Sequence, residues 1–255
     1  TGETAGYNVA ERFPTASVIK LPVMAAFFDM VDRKEVNPNA KVILTEEDKK
    51  QGSGVLQFLS PGTAITLLDA VRLMTVLSDN TATNLVLDRL ASTHAERMAK
   101  VNDFLVRKGL KNTRILNRLY SLATKQQTPE AVRYGIGVST PEDMVKLLEG
   151  LYTKTLVEPA SCDAMLAILK QQFYGDMIPR LLPREECKRF EIANKTGFIN
   201  ETKVDVGLVL SDKADLALAI FVDKGPDHRD IFNNRALLLA ASVSRAVWNH
   251  FTGDT

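Results

Sequence analysis

Ser17 and Lys20 lie three residues apart in the stretch Phe13-Pro14-Thr15-Ala16-Ser17-Val18-Ile19-Lys20-Leu21-Pro22, and the run from Val23 to Val31 is rich in Ala, Met and Phe. Apolar on most sides, a helix starting near Ser17 belongs in a core. At spacing i, i+3 the hydroxyl and the amine share one face. Burial strips a lysine of hydration and makes its neutral form accessible. A neutral amine beside a serine can take the hydroxyl proton and create a nucleophile. The helix N-terminus favours negative charge that develops nearby. The ordinary alternative is a serine N-cap with a lysine that snorkels to solvent.

The rest of the chain must position that pair. Its 255 residues suit one large folding unit, with 45% hydrophobic and 25% charged residues. A net charge of +1 gives no sign of a nucleic-acid groove or a membrane surface. No apolar run reaches membrane-spanning length, and Leu216 to Val222 is strand-sized. Cys162 and Cys187 have no His at ligand spacing, so zinc is not expected, and no cofactor or other metal is expected either. The two thiols either pair in an oxidising compartment or stay separate.

Periodicity and caps predict helices over residues 66–77, 83–90, 94–108, 140–152, 159–172 and 235–251, the last carrying the only tryptophan, Trp248. Strands are expected at 41–44, 189–194, 203–210 and 216–222, and a short one within the first thirteen residues. Residues 112–138 read as a long polar loop, the kind that is usually functional or disordered. The expected fold is α/β (α+β) and two-lobed. An antiparallel sheet drawn from both chain ends (about 1–16 and 188–255) is flanked by helices, and a helical lobe comes from the middle (about 17–187). There is no internal repeat or linker, so residues 1–255 read as a single domain.

Two tripeptides complete the chemistry. Ser78-Asp79-Asn80 joins two helices, and Lys195-Thr196-Gly197 closes the first late strand. Separately they read as a helix cap and a strand end. Together with Ser17 and Lys20, in this order, they resemble the signatures of the class A β-lactamase family of penicillin-recognising serine hydrolases. The likeness runs along nearly the whole chain, and Ser139-Thr140-Pro141 resembles the end of that family's omega loop.

The resemblance implies roles. Ser17 attacks a lactam carbonyl, and Lys20 takes or poises its proton. Ser78 relays a proton to the leaving nitrogen, and Asn80 holds the substrate's side-chain amide. Lys195 and Thr196 bind the substrate carboxylate, and Gly197 lets substrate approach the strand edge. The backbone N–H groups of Ser17 and Phe198 form the oxyanion hole. Asp79 is expected to be a structural acceptor. Asp205, in Val-Asp-Val, either faces Lys195 or serves structure. The resemblance also implies a periplasmic or secreted protein acting on a small β-lactam or a peptidoglycan peptide.

Two departures stand out. The family's Glu-x-x-Leu-Asn, whose Glu activates the deacylating water, has no counterpart here. Glu130, eleven residues before Pro141, is the acidic residue in the right loop and is either that base or a solvated glutamate. The alternatives to a β-lactamase are a D-alanyl-D-alanine peptidase and a β-lactam sensor without turnover. The family also begins with a helix and a strand ahead of the segment that starts at Thr1-Gly2-Glu3. A missing segment or a second chain is therefore expected to complete the sheet.

Overall fold

Phe13–Pro14 forms strand β1, which enters a 3-10 turn over Ala16–Ile19 and then helix α1, Lys20–Asp32. The computed structural model describes residues 2–121, 125–229 and 231–253. Every residue of α1 from Lys20 to Phe28 is buried, as its nearly unbroken apolar sequence requires. It is the axis around which the helices gather. Strands β2 (Lys41–Ile43) and β3 (Ala64–Thr66) pair antiparallel and lead into α2 (Leu67–Val76). Helices α3 (Asn80–Asp88) and α4 (His94–Arg107) follow, and α1 to α4 contribute to one core through Phe27, Met74, Val86 and Phe104.

Side-chain caps set where these helices begin. Thr66 accepts from Asp69 N, and Thr93 and Glu96 form a reciprocal capping box at α4. The expected long loop is broken by strand β4 (Arg114–Ile115), helix α5 (Pro129–Tyr134) and strand β5 (Gly137–Ser139). Their brevity hid them from any periodicity. Strand β1 pairs with β5, and β5 with β4, so the N-terminal strand closes a small sheet of its own. The expected strand in the first thirteen residues reduces to Phe13 at its start. Thr140 caps α6 (Pro141–Tyr152), and α7 (Pro159–Leu169) completes the helices around α1.

The main sheet is antiparallel, in the order β6 (Phe190–Ile199), β7 (Thr202–Ser211), β8 (Asp215–Val222). All residues of β7 are buried because the strand has neighbours on both edges and helices on both faces. Side chains alternate across the sheet. Val204, Val206, Leu208 and Leu210 face the α1 core, whereas Val209 joins Leu218, Ile220 and Trp248 under α8 (Arg235–Thr252). Cys162 is a buried thiol that donates to the Val157 carbonyl, which settles that residue's alternatives in favour of the thiol. Among the described residues no helix is long and apolar enough to cross a membrane.

Candidate active site

Three separate segments meet at Ser78. The first is the 3-10 turn, whose three residues per revolution stack positions i and i+3. That geometry places Ser17 above Lys20, and the Lys20 backbone N–H donates to the Ser17 carbonyl. Ala16 has φ +44°, a left-handed conformation rare for alanine, immediately before Ser17. Ser17 is half-buried while Ala16, Val18 and Ile19 are buried, so it is the most exposed member of the turn.

Lys20 is fully buried, and its side-chain nitrogen lies within hydrogen-bond distance of three oxygens. It lies 2.5 Å from the Ser78 carbonyl, 3.2 Å from Ser78 Oγ and 2.8 Å from Asn80 Oδ1. Ser78 itself holds φ +55°, and this turn aims both its carbonyl and its hydroxyl at Lys20. The next residue, Asp79, caps α3 by accepting from Ala82 N at 2.8 Å. Its other oxygen accepts from Val55 N at 2.7 Å and Leu56 N at 2.9 Å, so its lone pairs serve structure. Asn80 donates from Nδ2 to Gln51 O at 2.9 Å, and its backbone N–H donates to Ser53 O at 3.0 Å. The Gln51–Ser53 loop is thus tied to the same tripeptide.

The third segment is the middle of β6. Lys195 and Gly197 project to one side of the sheet, and Thr196 pairs across the ladder with Asp205. The motif lies inside the strand, two residues before its end, where a strand end was expected. Lys195 is fully buried and donates to Ser78 Oγ at 3.1 Å and to Thr196 O at 2.8 Å. Gly197 lies against the nucleophile turn. A Cβ there would meet Thr15 O at 2.7 Å and the backbone nitrogens of Ser17 and Val18 at 3.0 Å. The missing side chain is what lets β6 and the turn approach. Phe198 follows, its ring edge-to-face with Tyr174 at 6.2 Å between centroids. Thr196 Oγ1 is buried and has no hydrogen-bond partner among the described residues.

Burial dominates the electrostatics. It holds the Lys20 amine well below the ordinary lysine value, the neighbouring Lys195 charge adds to the effect, and Asp79 opposes it. Burial likewise brings Lys195 down to about 7, with the Asp205 carboxylate opposing. Asp205 is raised to about 7 by burial, against the pull of donors from Asn194 Nδ2 and Ile178 N and of the Lys195 charge. The site can therefore hold one neutral amine and one ammonium around a single hydroxyl.

Lys20, Ser78, Asn80 and Lys195 join in one hydrogen-bonded group, and Gly197 lies against the backbone of Ser17, with Phe198 next to it in β6. Glu130 stands apart from this hydrogen-bonded group. It lies in the first turn of α5, ion-paired with Arg12 and, at 3.8 Å, with Arg114. Tyr120 carried no signal in the sequence, and Asn84, which ends the signature run from Ser78, had no role assigned to it. Asn84 Nδ2 donates to Leu119 O at 2.8 Å, and its Oδ1 accepts from Leu119 N at 3.2 Å. Its place one turn after Asn80 on α3 was the available signal. Among the described residues no group of three or more His, Cys, Asp or Glu is placed to hold a metal ion.

The chain is similar to known proteins along most of its length. The chain is 29% identical over 202 residues to the beta-lactamase CARB-4 of Pseudomonas aeruginosa, covering 77% of this chain and 64% of that relative's length. A crystal structure of a beta-lactamase from Sphaerobacter thermophilus superposes with a TM-score of 0.86 at 30% identity, covering 99% of this chain and 88% of the other. A mutant of PBP-A, solved as an acyl-enzyme complex with penicillin-G, gives 0.80 at 28% identity, covering 96% and 84%. The beta-lactamase enzyme family matches residues 1–251. With that extent of match, and with two buried lysines meeting on one serine between helices, the chain belongs to the beta-lactamase enzyme family.

Proposed function

We propose that the protein is a serine hydrolase of the class A type that opens β-lactam rings through an acyl-enzyme on Ser17. The observation that carries this reading is the convergence of Lys20 and Lys195 on Ser78 Oγ, at 3.2 and 3.1 Å. Neutral Lys20 takes the Ser17 proton as Oγ attacks the lactam carbonyl. The oxygen that becomes negative is held by the backbone N–H groups of Ser17 and Phe198. The Ser17–acyl bond forms and the lactam C–N bond breaks, with Ser78 passing a proton to the nitrogen. Lys195 binds the substrate carboxylate. Thr196 Oγ1, a buried hydroxyl otherwise unsatisfied, donates to the same carboxylate. Asn80 has a second Nδ2 hydrogen for the substrate's amide carbonyl. The substrates of this family's chemistry reach an exported enzyme, and we place the protein outside the cytoplasm on that ground.

A second reading keeps the acyl-enzyme and slows its release, as in a D-alanyl-D-alanine peptidase or a β-lactam-binding sensor. The ion pairs of Glu130 with Arg12 and Arg114 favour it, because they occupy the carboxylate otherwise available to activate water. Intact mass after mixing with benzylpenicillin tests both readings. The wild type should gain the mass of one penicillin, and Ser17→Ala should gain none. An adduct that clears within seconds while drug is consumed supports hydrolysis, and one that lasts hours supports the second reading. Equal labelling of the two proteins would remove Ser17 from the mechanism.

A further inference from the structure

Tyr120 stands at the rim of the site in a backbone conformation that tyrosine disfavours, with φ +48°. Such strain persists only where neighbours hold it, and it gathers at ligand-binding positions. Here the neighbour is Leu119, whose N–H and C=O are both bonded by the Asn84 carboxamide at 3.2 and 2.8 Å. The clamp fixes the backbone without burying the ring, for Tyr120 remains 63% exposed. Packing therefore does not account for the strained pose.

The ring's surroundings do. A Cβ on Gly52 would lie 3.0 Å from Tyr120 Oη and 2.8 Å from Asn80 Nδ2. The phenol, the bare backbone of Gly52 and the Asn80 amide thus meet at one point. Asn80 is already committed on Oδ1 to Lys20 and on one Nδ2 hydrogen to Gln51 O, so its remaining N–H is the donor beside the ring.

We propose that Tyr120 is a specificity residue whose ring packs on the side chain attached to the amide that Asn80 holds, selecting acyl donors with a planar aromatic group there. An aromatic ring offers an offset or edge-on partner to another ring, which an aliphatic or absent side chain cannot match. Gly52, lacking a side chain, lets the phenol and the amide close on its backbone, which leaves the exposed face of the ring beside the amide. The inference rests on the Ser17 acyl-enzyme reading.

The test compares second-order acylation of Ser17 by benzylpenicillin and by 6-aminopenicillanic acid, which has the same bicycle and carboxylate but no acyl side chain. Tyr120→Ala should slow benzylpenicillin about three- to tenfold, the range expected for loss of one aromatic pair, and leave 6-aminopenicillanic acid within about twofold. Tyr120→Phe should keep the wild-type preference. If Tyr120→Ala lowers the unfolding midpoint, Tyr120→Leu, similar in bulk without a ring, carries the same expectation. Equal slowing of both compounds, or no change in either, overturns the role of Tyr120 alone. A wild type that neither compound acylates overturns the Ser17 reading and this inference with it.

Discussion

The Lys195 ammonium lies 3.1 Å from Ser78 Oγ, although 117 residues separate them in the chain. The contact joins β6, an edge strand of the main sheet, to the turn between α2 and α3. Lys20 reaches the same oxygen from a third segment at 3.2 Å. Burial, reinforced by the Lys195 charge, lowers the Lys20 amine well below the ordinary lysine value and so favours its neutral form, the one that can take a proton.

The pH dependence follows from the two lysines. Acylation should rise with pH as Lys20 loses its proton, well below the ordinary lysine value of 10.5. It should fall again as Lys195, held near 7, loses the charge that binds the carboxylate. The Asp205 carboxylate opposes the lowering of Lys195, so removing its charge lets Lys195 deprotonate at lower pH. Asp205→Asn should therefore move the alkaline limb to lower pH and raise KM before it lowers kcat. A limb that stays in place in the variant, measured as acylation rate against pH, would assign Asp205 to structure alone.

Gly197→Ala tests the closeness of strand and nucleophile. The new methyl would meet three backbone atoms at 2.7 to 3.0 Å, none of which can rotate away. The turn must shift from β6, and Ser17 N with it. Acylation should fall at least about tenfold, and urea unfolding should show a loss of about 1–3 kcal/mol, the usual cost of overpacking. Wild-type acylation in this variant would mean that the oxyanion site does not depend on the approach.

Glu130→Gln bears on acyl-enzyme lifetime. Its partners Arg12 and Arg114 are half-exposed or exposed at the rim of α5, so the pairs contribute about 0.2–1 kcal/mol. With the carboxylate engaged there, the substitution should leave the adduct's decay unchanged and lower the unfolding midpoint slightly. A markedly longer-lived adduct in time-resolved intact mass would make Glu130 the water-activating base.

The sequence by itself determined the parts. Ser17, Lys20, Ser78, Asn80 and Lys195 were legible as candidates because their chemistry lies in residue type and short spacing, and because α1 is a nearly unbroken apolar run while α2, α4, α6 and α8 carry apolar periodicities and side-chain caps. Asp79 was legible as a local acceptor for the same reason. What only the tertiary structure decided depends on partners far away in the chain. The register of β6 on β7 set Thr196 opposite Asp205, and the packing of β6 brought Lys195 to Ser78 and Gly197 to Ser17. Glu130 found Arg12, 118 residues distant, and no local pattern announces an ion pair of that span. Strands β4 and β5 and helix α5 are too short to show a period and exist through pairing and packing. Tyr120 over Gly52 belongs to the same group, since a strained exposed side chain is held by contacts and not by propensity.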